Sequence, residues 1–327
     1  MTSTSAWQPT ITAQNLQLRG EILWSIRKFF YEAGFIEVHT PVVSQDTVID
    51  RHIDPVVLSG KSLGLGEFAK QDFYLQTSPE FGMKRLLANG AQRIYQISQV
   101  FRAGERGKHH NPEFTMIEWY RVADDFSAAT KLLADMMVAV NPVWKPKQTT
   151  YQQAFIEHAG ICPLTCAVNE LAAVAVAKEL GVDDSWSNDR DDWLNLLFSE
   201  VVQPRLGFEQ PEIVTHYPAS QSALAKICES DSRVAERFEL FIEGIELANG
   251  YHELLDAAEL SKRNASVSQQ RLQDGKEPLP QESRLLQAMR HGLPACSGCA
   301  LGLDRLLMVL SRAKAIDEVI CFPIERC

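Results

Sequence analysis

A polar stretch, Ala103-Gly104-Glu105-Arg106-Gly107-Lys108-His109-His110-Asn111-Pro112, separates two segments that have the composition of β-strands. Arg93 to Arg102 precedes it and Glu113 to Tyr120 follows it, and aromatic and β-branched residues recur in both segments. Glycines and a proline within the stretch favour a loop. The sequence therefore predicts a long antiparallel hairpin, around which the rest of the fold is arranged.

One face of the second predicted strand carries an acid and a phenol. Successive side chains of a strand point to opposite faces, so this face presents Phe114, Met116, Glu118 and Tyr120. Arg102 lies at the loop end of the first strand, and the loop adds basic residues to a chain that is otherwise acidic. We interpret this as a local anion-binding site with Phe114 as a stacking surface. A solvated basic turn is the alternative interpretation.

Helices are predicted on both sides of the hairpin. Apolar residues at three- and four-residue spacing predict an amphipathic helix from about Asn15 to Ala33. Further along, Thr77-Ser78-Pro79-Glu80 predicts the start of a helix, with Ser78 as its N-cap and the proline at the first helical position. Near the C-terminus, Gly302 to Leu310 predicts an apolar helix with Arg305 in its first turn. An arginine there is unfavourable unless an anion is bound.

Two carboxylates are predicted to meet between the hairpin and that last helix. Arg237 to Glu246 predicts a strand, Asn249-Gly250 a turn, and Tyr251 to about Gln273 a helix with Glu253 in its first turn. A strand end and a helix start can bring Glu246 and Glu253 together, and a divalent cation would relieve the repulsion between them. The alternative is that each carboxylate pairs with an arginine of the core.

The segment from about Asp124 to Asp231 is expected to be mostly helical, with one strand at Glu212 to His216. We interpret it as an insertion packed on the sheet of a single domain that covers residues 1–327. The fold class is therefore expected to be α+β, with a central antiparallel sheet flanked by helices.

Composition excludes several classes of protein. The 327 residues are 45% hydrophobic and 23% charged, as in globular proteins, and no apolar run approaches the roughly 18 residues of a membrane-spanning helix. Met1 to Thr10 lacks the basic residue and apolar core of a secretory signal, so a cytoplasmic location is expected. The net charge of −10 argues against broad electrostatic binding of nucleic acid. Cys296 and Cys299 are expected to be buried thiols rather than zinc ligands.

Several of these segments resemble, in chain order, the three signature motifs of class II aminoacyl-tRNA synthetases. The segments are Phe35-Ile36-Glu37-Val38-His39-Thr40-Pro41, the hairpin from Phe101-Arg102 to Tyr120, and Gly302-Leu303-Asp304-Arg305. Within this class, Thr77-Ser78-Pro79-Glu80, His110 to Met116 and Glu246 to Leu254 are similar to the lysyl-tRNA synthetase branch. The resemblance extends from about residue 15 to residue 325 and implies the catalytic domain of that class.

The resemblance also implies roles for individual residues. Arg102 and Arg305 would be catalytic residues that hold phosphates of ATP, and Phe114 would stack on adenine. Mg²⁺ would be held by Glu246 and Glu253. The further ATP contacts that it implies are Ala103, Gly104, His110, Asn111, Glu246, Leu247 and Gly302. The amino-acid pocket that it implies is formed by Ser78, Pro79, Glu80, Glu118, Tyr120, Asn249, Glu253 and Ala300.

Two departures from the family pattern concern the nucleotide and the substrate. Gly104 stands where the family has a glutamate, with Glu105 as its neighbour. Ala300 stands where lysyl-tRNA synthetases have glycine. Because one methyl group in a packed pocket can change preference by about 1 to 3 kcal/mol, the alanine favours a substrate other than α-lysine.

The resemblance implies an ATP-dependent enzyme with a protein acceptor. Lysyl-tRNA synthetases carry an OB-fold anticodon-binding domain ahead of the catalytic domain, and none is expected here because catalytic-domain sequence begins within about the first fifteen residues. The chain is similar to the truncated paralogues that activate (R)-β-lysine and transfer it to a lysine of elongation factor P. A homodimer is expected, without stable tRNA binding or membrane association. The alternatives are a minimal lysyl-tRNA synthetase, a free amino-acid ligase and a catalytically inactive regulatory paralogue.

Overall fold

A computed structural model describes residues 7–327, which divide into two compact units. The first unit comprises residues up to 123 together with 255–327, and the second comprises residues 124–254. The expectation that Met1 to Thr10 contains no secretory signal falls partly on residues 1–6, which lie outside the described residues. Within residues 7–327, every helix is too short or too polar to cross a membrane.

The first unit contains the predicted hairpin and the helices on either side of it. Before the second unit its elements are α1 (Ala13–Glu32), β1 (Ile36–Glu37), β2 (Val43–Ser44), β3 (Val57–Ser59), β4 (Asp72–Leu75), α2 (Glu80–Ala88), β5 (Arg93–Phe101) and β6 (Glu113–Val122). The second unit contains α3 (Phe126–Val140), β7 (Lys147–Thr150), α4 (Tyr151–Ala159), α5 (Val168–Ala177), α6 (Arg190–Leu197), β8 (Glu212–Pro218), β9 (Val234–Ile242) and β10 (Ile245–His252).

After the second unit the chain completes the first with α7 (Ala257–Gln273), α8 (Arg284–Gly292), β11 (Cys296–Gly302) and α9 (Leu303–Ser311). Short 3₁₀ helices lie at Gly66–Phe68, Gln203–Arg205, Ala219–Gln221, Ile316–Glu318 and Ile324–Arg326, and a π-helix at Phe198–Val202. The predicted helices at residues 15–33 and 302–310 are confirmed to within two residues.

The main strands of the first unit follow the order β1-β5-β6-β11. The β5–β6 hairpin is antiparallel as predicted, β11 pairs antiparallel with β6, and β1 pairs parallel with β5. A smaller sheet has the order β2-β4-β3. In the hairpin register, Glu118 lies opposite Gln96 of β5 and Ala300 of β11, so these three residues share one face.

The core of the first unit forms where α1 packs on the hairpin. Thr12 caps the helix by accepting a hydrogen bond from the Asn15 backbone, and Gly34 ends it with a left-handed φ of 75°. Phe30 is fully buried and stacks on the Tyr95 ring with a centroid separation of 4.5 Å. Aromatic packing therefore holds the helix against the hairpin, because aromatic side chains bury a large apolar area.

The second unit is less helical than the sequence indicates. Its strands follow the order β10-β9-β8-β7, with β7 parallel to β8. Residues 124–231 thus supply two strands, of which β8 was predicted and β7, with the sequence Lys-Gln-Thr-Thr, was not. Its apolar core packs aromatic rings of Tyr151, Phe155 and Trp193 between the helices and the strands.

The turn predicted at Asn249-Gly250 and the helix predicted from Tyr251 are both wrong. The chain turns at Glu243-Gly244, where both residues have positive φ, and Asn249-Gly250 lies inside β10. Asn249 pairs there with Glu239, and the next helix begins only at Ala257. Ladder hydrogen bonds and burial therefore override a dipeptide that favours turns in isolation.

Candidate active site

A buried carboxylate on β6 forms the centre of a hydrogen-bonded cluster. Glu118 is 1% exposed and accepts hydrogen bonds from the Ser78 hydroxyl at 2.7 Å and from the Tyr120 hydroxyl at 2.6 Å. Burial, together with the nearby charge of Glu80, raises the pKa of Glu118 to about 8. The site therefore holds a carboxyl group whose ionisation would be favoured by an arriving cation.

The first turn of α2 brings a second carboxylate to this cluster. Glu80 and Lys84 lie one helical turn apart and form a buried ion pair of 2.5 Å, with Lys84 2% exposed. The Lys84 ammonium also lies 5.8 Å from the centre of the Tyr120 ring. The sequence shows the Glu80–Lys84 spacing, but that spacing alone indicates an exposed pair, and Lys84 was not among the predicted site residues.

The start of α2 differs by one residue from the prediction. Pro79, rather than Ser78, occupies the N-cap position. The Ser78 hydroxyl accepts a hydrogen bond from the Glu80 backbone at 3.0 Å while it donates to Glu118. The serine therefore connects the start of α2 to Glu118 of β6, whereas an N-cap would bond only to its own helix.

Arg102 and Phe114 lie together at the loop end of the hairpin. The Arg102 guanidinium lies 5.1 Å from the centre of the Phe114 ring, and it pairs weakly with Glu105 at 3.7 Å. Its Nε is a buried donor without a hydrogen-bond partner among the described residues. The Arg102 N–H donor beside the Phe114 ring suits a ligand in which an anionic group is attached to a planar base.

The hairpin loop supplies further polar side chains, and some of them form hydrogen bonds that stabilise the loop. Arg305 on α9 contacts the His110 ring at 2.7 Å, and burial and the arginine charge both lower the pKa of His110. The Asn111 amide donates to the Glu113 carbonyl and accepts from the Ile324 backbone. In this structure the Asn111 side chain therefore connects the loop to the C-terminal segment.

Two of the predicted ATP-binding positions are glycines. Gly104 has a left-handed φ of 75° and open space where a Cβ would stand, and the Ala103 backbone donates to Asp54. Gly302 precedes α9 and pairs with Met116, two residues from Ala300 on the same face of β11. At Gly104 the backbone can thus approach a ligand closely.

A buried ion pair connects α1 to the hairpin motif and to the Gly302–Arg305 motif. Asp304 accepts from Arg19 of α1 at 2.5 Å and from the Thr115 backbone of β6 at 2.6 Å, and it is 1% exposed. Arg19 also donates to the Thr115 hydroxyl at 2.7 Å. The pair connects α1, β6 and α9. Because Arg305 directly follows Asp304, the same contacts fix the helical turn that carries Arg305.

In the second unit, a β-bulge determines which face the predicted carboxylates occupy. The β9–β10 register shifts between Glu246 and Ala248, so Leu247 is the extra residue. The extra residue places Glu246 on the same face of β10 as Asn249 and Tyr251. Without the bulge, Glu246 and Asn249 would point to opposite faces.

Glu246 lies near the start of β10, and Glu253 directly follows the strand. β10 ends at His252 and the next helix begins at Ala257, so the strand-to-helix junction predicted for these two carboxylates is wrong. No group of three or more His, Cys, Asp or Glu side chains in residues 7–327 is arranged around a metal position. Cys296 and Cys299 are buried thiols, as expected.

The β10 face continues onto β9 and β8 as a buried polar network. Arg237 pairs with Glu239, stacks over the Tyr217 ring at 4.7 Å, and donates to the Gln221 carbonyl. Burial lowers the pKa of the Arg237 guanidinium, but the nearby Glu239 carboxylate outweighs it and the pKa is raised; burial also raises the pKa of Glu239. Sequence patterning showed Arg237 as a strand residue but gave no sign of this network.

Comparison with known proteins accounts for these elements together. The family described as tRNA synthetases class II (D, K and N) matches residues 7–326 of the chain. The chain belongs to this class II tRNA synthetase family. The resemblance predicted from the three motifs is therefore confirmed, and with it the α+β fold class.

Relatives within the class II family align over their full length. A protein of Yersinia enterocolitica serotype O:8 / biotype 1B is 43% identical over 326 residues, which is 100% of both chains. Proteins of Salmonella typhi and of Salmonella choleraesuis (strain SC-B67) are 42% identical over the same length, again 100% of both chains. All three relatives are named "Elongation factor P--(R)-beta-lysine ligase".

Proposed function

We propose that this protein is an ATP-dependent ligase. It activates (R)-β-lysine as an aminoacyl adenylate and transfers it to the ε-amino group of a lysine on translation elongation factor P. The observation that carries the proposal is the alignment, over the full length of both chains, with relatives that bear the name of this activity. The buried carboxylates on β6 and α2 support it, because they suit a substrate that carries ammonium groups.

The amino-acid pocket of the first unit acts by charge and orientation. Glu118 holds an ammonium group of the substrate, and the Ser78 and Tyr120 hydroxyls fix the position of its carboxylate. Lys84 balances the charge of Glu80, so the two buried acids do not have to share a proton. Ala300, opposite Glu118 in the register, limits the space on the same face.

Two covalent steps follow from this assignment. The substrate carboxylate attacks the α-phosphorus of ATP, pyrophosphate leaves, and the adenylate forms. The acceptor amine then attacks the adenylate carbonyl, AMP leaves, and an amide bond forms. Arg102 and Arg305 hold the phosphates and offset charge on their oxygens, and Phe114 stacks on adenine, so catalysis is mainly positioning and electrostatics.

A magnesium ion is expected with ATP, and Glu246 and Glu253 are the residues proposed to hold Mg²⁺. When bound, it would neutralise charge on the ATP phosphates. Glu246 lies in β10 and Glu253 directly follows it, and both carboxylates would supply the hard oxygen ligands that Mg²⁺ prefers. Mg²⁺ usually takes one or two carboxylates and completes its shell with phosphates and water, so a dedicated cluster of protein ligands is not required.

We also propose that the protein is a homodimer. Trp24 and Tyr31 lie on one side of α1 and are 69% and 80% exposed, and Ile36 of the edge strand β1 is 65% exposed. Three large apolar side chains so close in sequence are unusual on a free surface. A second copy of the chain would cover them.

Mass spectrometry of the acceptor tests the proposed ligase activity. Purified elongation factor P is incubated with the protein, ATP, Mg²⁺ and either (R)-β-lysine or α-lysine, with tRNA as a parallel acceptor. We expect a lysine-sized mass gain on the factor, faster with the β isomer and lost in Arg102→Ala. Charging of tRNA with the factor unmodified would instead indicate a minimal synthetase, and failure to form any adenylate would indicate an inactive paralogue.

A further inference from the structure

The tip of the hairpin loop is a tight turn that one arginine supports. The Gly107 backbone N–H donates to the His110 carbonyl at 3.1 Å, and the His110 N–H donates to the Gly107 carbonyl at 3.3 Å. The Arg106 guanidinium donates to the same two carbonyls, to Gly107 at 3.2 Å and to His110 at 3.4 Å. Arg106 therefore stabilises the backbone that carries the His110 ring.

The rest of the Arg106 guanidinium binds two acidic side chains of the C-terminal segment, residues 316–326. Its Nε and Nη2 donate to the two oxygens of the Glu325 carboxylate at 2.6 Å and 3.0 Å, and Nη2 also donates to Asp317 at 2.9 Å. We call these three side chains the loop clasp. A single exposed ion pair stabilises a protein little, but a bidentate arginine within a network of three charges restrains both segments.

Two further hydrogen bonds connect the loop to the same segment. The Ile316 backbone N–H donates to the Lys108 carbonyl at 2.9 Å, and the Ile324 backbone N–H donates to the Asn111 side chain at 3.2 Å. The loop clasp therefore lies between two points at which the loop already touches residues 316–326.

Residues at the start of α1 hold the C-terminal segment in place. The Thr10 backbone N–H donates to the Cys321 carbonyl at 3.0 Å, and the Asn15 side-chain amide donates to the Glu318 carbonyl at 2.9 Å. Because these bonds do not involve the hairpin, the segment has its own attachment to the first unit. It can therefore serve as a fixed support for the loop.

The supported loop contacts Arg305, which the proposed function assigns to the phosphates of ATP. Arg305 Nη2 lies 2.7 Å from the His110 ring, and Arg305 Nε lies 3.4 Å from the His109 carbonyl oxygen. Displacement of the loop tip would therefore change the surroundings of Arg305. Each nitrogen of the Arg106 guanidinium already has an oxygen acceptor, so a direct contact of Arg106 with a phosphate would replace one of these bonds.

We propose that Arg106 is a positioning residue for ATP, and that it acts by holding the hairpin loop against the C-terminal segment. This inference rests on the proposed function, in which His110 and Arg305 bind ATP. Without the loop clasp the loop adopts other positions, and the apparent affinity for ATP falls with the fraction of molecules whose loop is in place. Saturating ATP restores the loop, so KM for ATP changes more than kcat.

A double-mutant cycle in ATP–pyrophosphate exchange tests the loop clasp. In Arg106→Met we expect KM for ATP to rise about tenfold, with kcat and KM for (R)-β-lysine changed less than about twofold, because the amino acid is assigned to the carboxylate cluster of β6 and α2. The acid-free variant, Asp317→Ala with Glu325→Ala, should show the same rise. Adding Arg106→Met to the acid-free variant should change KM for ATP by less than about twofold.

Two kinetic results would overturn the proposal. One is an unchanged KM for ATP in Arg106→Met. The other is a full tenfold effect of Arg106→Met in the acid-free variant, about 1.4 kcal/mol, because it would show that the arginine contacts ATP itself.

Hydrogen exchange of the loop amides tests the clasp apart from catalysis. Without substrates, the Gly107 and His110 amides should exchange faster in Arg106→Met than in the wild type, and ATP should slow them again. Arg290→Met is the matched control, because Arg290 binds both oxygens of the Glu282 carboxylate at 3.0 Å and 2.9 Å. It should leave the loop amides and KM for ATP unchanged.

The two measurements separate failure of this inference from failure of the proposed function. Loop amides that exchange equally in Arg106→Met and the wild type would overturn the clasp, whatever reaction the protein catalyses. Absence of pyrophosphate exchange with (R)-β-lysine in the wild type, with loop amides that respond to Arg106→Met and to ATP as expected, would overturn the proposed function alone.

Discussion

At the residue scale, the pH dependence of amino-acid activation should follow Glu118. Its pKa is about 8 in the free pocket, so kcat/KM should rise with pH as the carboxylate ionises. The groups around it are Ser78, Tyr120, Glu80 and Lys84, and the lysine favours the ionised form. Removing that positive charge in Lys84→Met should move the acidic limb of the profile upward by about one pH unit.

Profiles of kcat/KM from pyrophosphate exchange measure this shift. Lys131→Met is the matched control, because Lys131 forms the same one-turn pair with Asp135 on the exposed side of α3. Lys84→Arg keeps the charge and should keep the wild-type limb. An unchanged limb in Lys84→Met would show that the lysine has only a structural role.

A second residue-scale prediction concerns the stability of the first unit. Replacing Asp304 with alanine leaves the Arg19 guanidinium and the Thr115 backbone N–H without their acceptor in a buried position. Removing one partner of a buried pair costs about 3 to 5 kcal/mol. Urea denaturation should show this loss, whereas Asp135→Ala, which breaks an exposed pair, should change the unfolding free energy by less than about 1 kcal/mol.

At the element scale, the backbone of Gly207 lies so close to β9 that position 207 should not accept any side chain. A Cβ on Gly207 would lie 2.3 Å from the Phe241 carbonyl oxygen, and its φ is 74°. Gly181 has a φ of 75° and open space around it, so Gly181→Ala isolates the cost of the left-handed backbone, about 1 to 2 kcal/mol. Gly207→Ala should lose about 1 to 3 kcal/mol more through the clash. Equal melting temperatures for the two variants would contradict this.

Elements were predictable where local pattern and tertiary contacts agree. The β5–β6 hairpin was found because segments rich in aromatic and β-branched residues flank a polar loop that contains glycines and a proline, and α1 because its apolar spacing matches its buried residues. β11 was missed because Cys296 to Gly302 has neither alternation nor β-branched residues. The β10 bulge at Leu247 was missed because only pairing with β9 reveals an extra residue.

Site residues were predictable where strand alternation or a family motif identifies them. Glu118 and Tyr120 follow from strand alternation, and the resemblance to the class II family supplied Ser78 and Glu80. Lys84 could not be identified, because a lysine on a predicted amphipathic helix is normally exposed, and its burial depends on the fold.

At the scale of the whole molecule, net charge should limit which macromolecules bind. The chain carries 42 acidic and 32 basic residues, so long-range attraction to tRNA is unfavourable. We expect fluorescence anisotropy to detect no saturable binding of labelled tRNA at physiological salt. Saturable binding that weakens steeply with salt would contradict this and revive the synthetase alternative.

Oligomeric state is the other property of the whole molecule that the structure predicts. Covering Trp24 and Tyr31 of α1 with a second copy removes apolar surface from water, and a glutamate at either position would bury an unpaired charge in the interface. Light scattering should therefore give the mass of two chains for the wild type and one chain of 36.7 kDa for the Trp24→Glu, Tyr31→Glu variant. Trp186→Glu changes a 47% exposed tryptophan of the second unit and should remain dimeric. Circular dichroism shows whether the double variant keeps its helices, so a folded double variant with the mass of two chains would exclude this face as the interface.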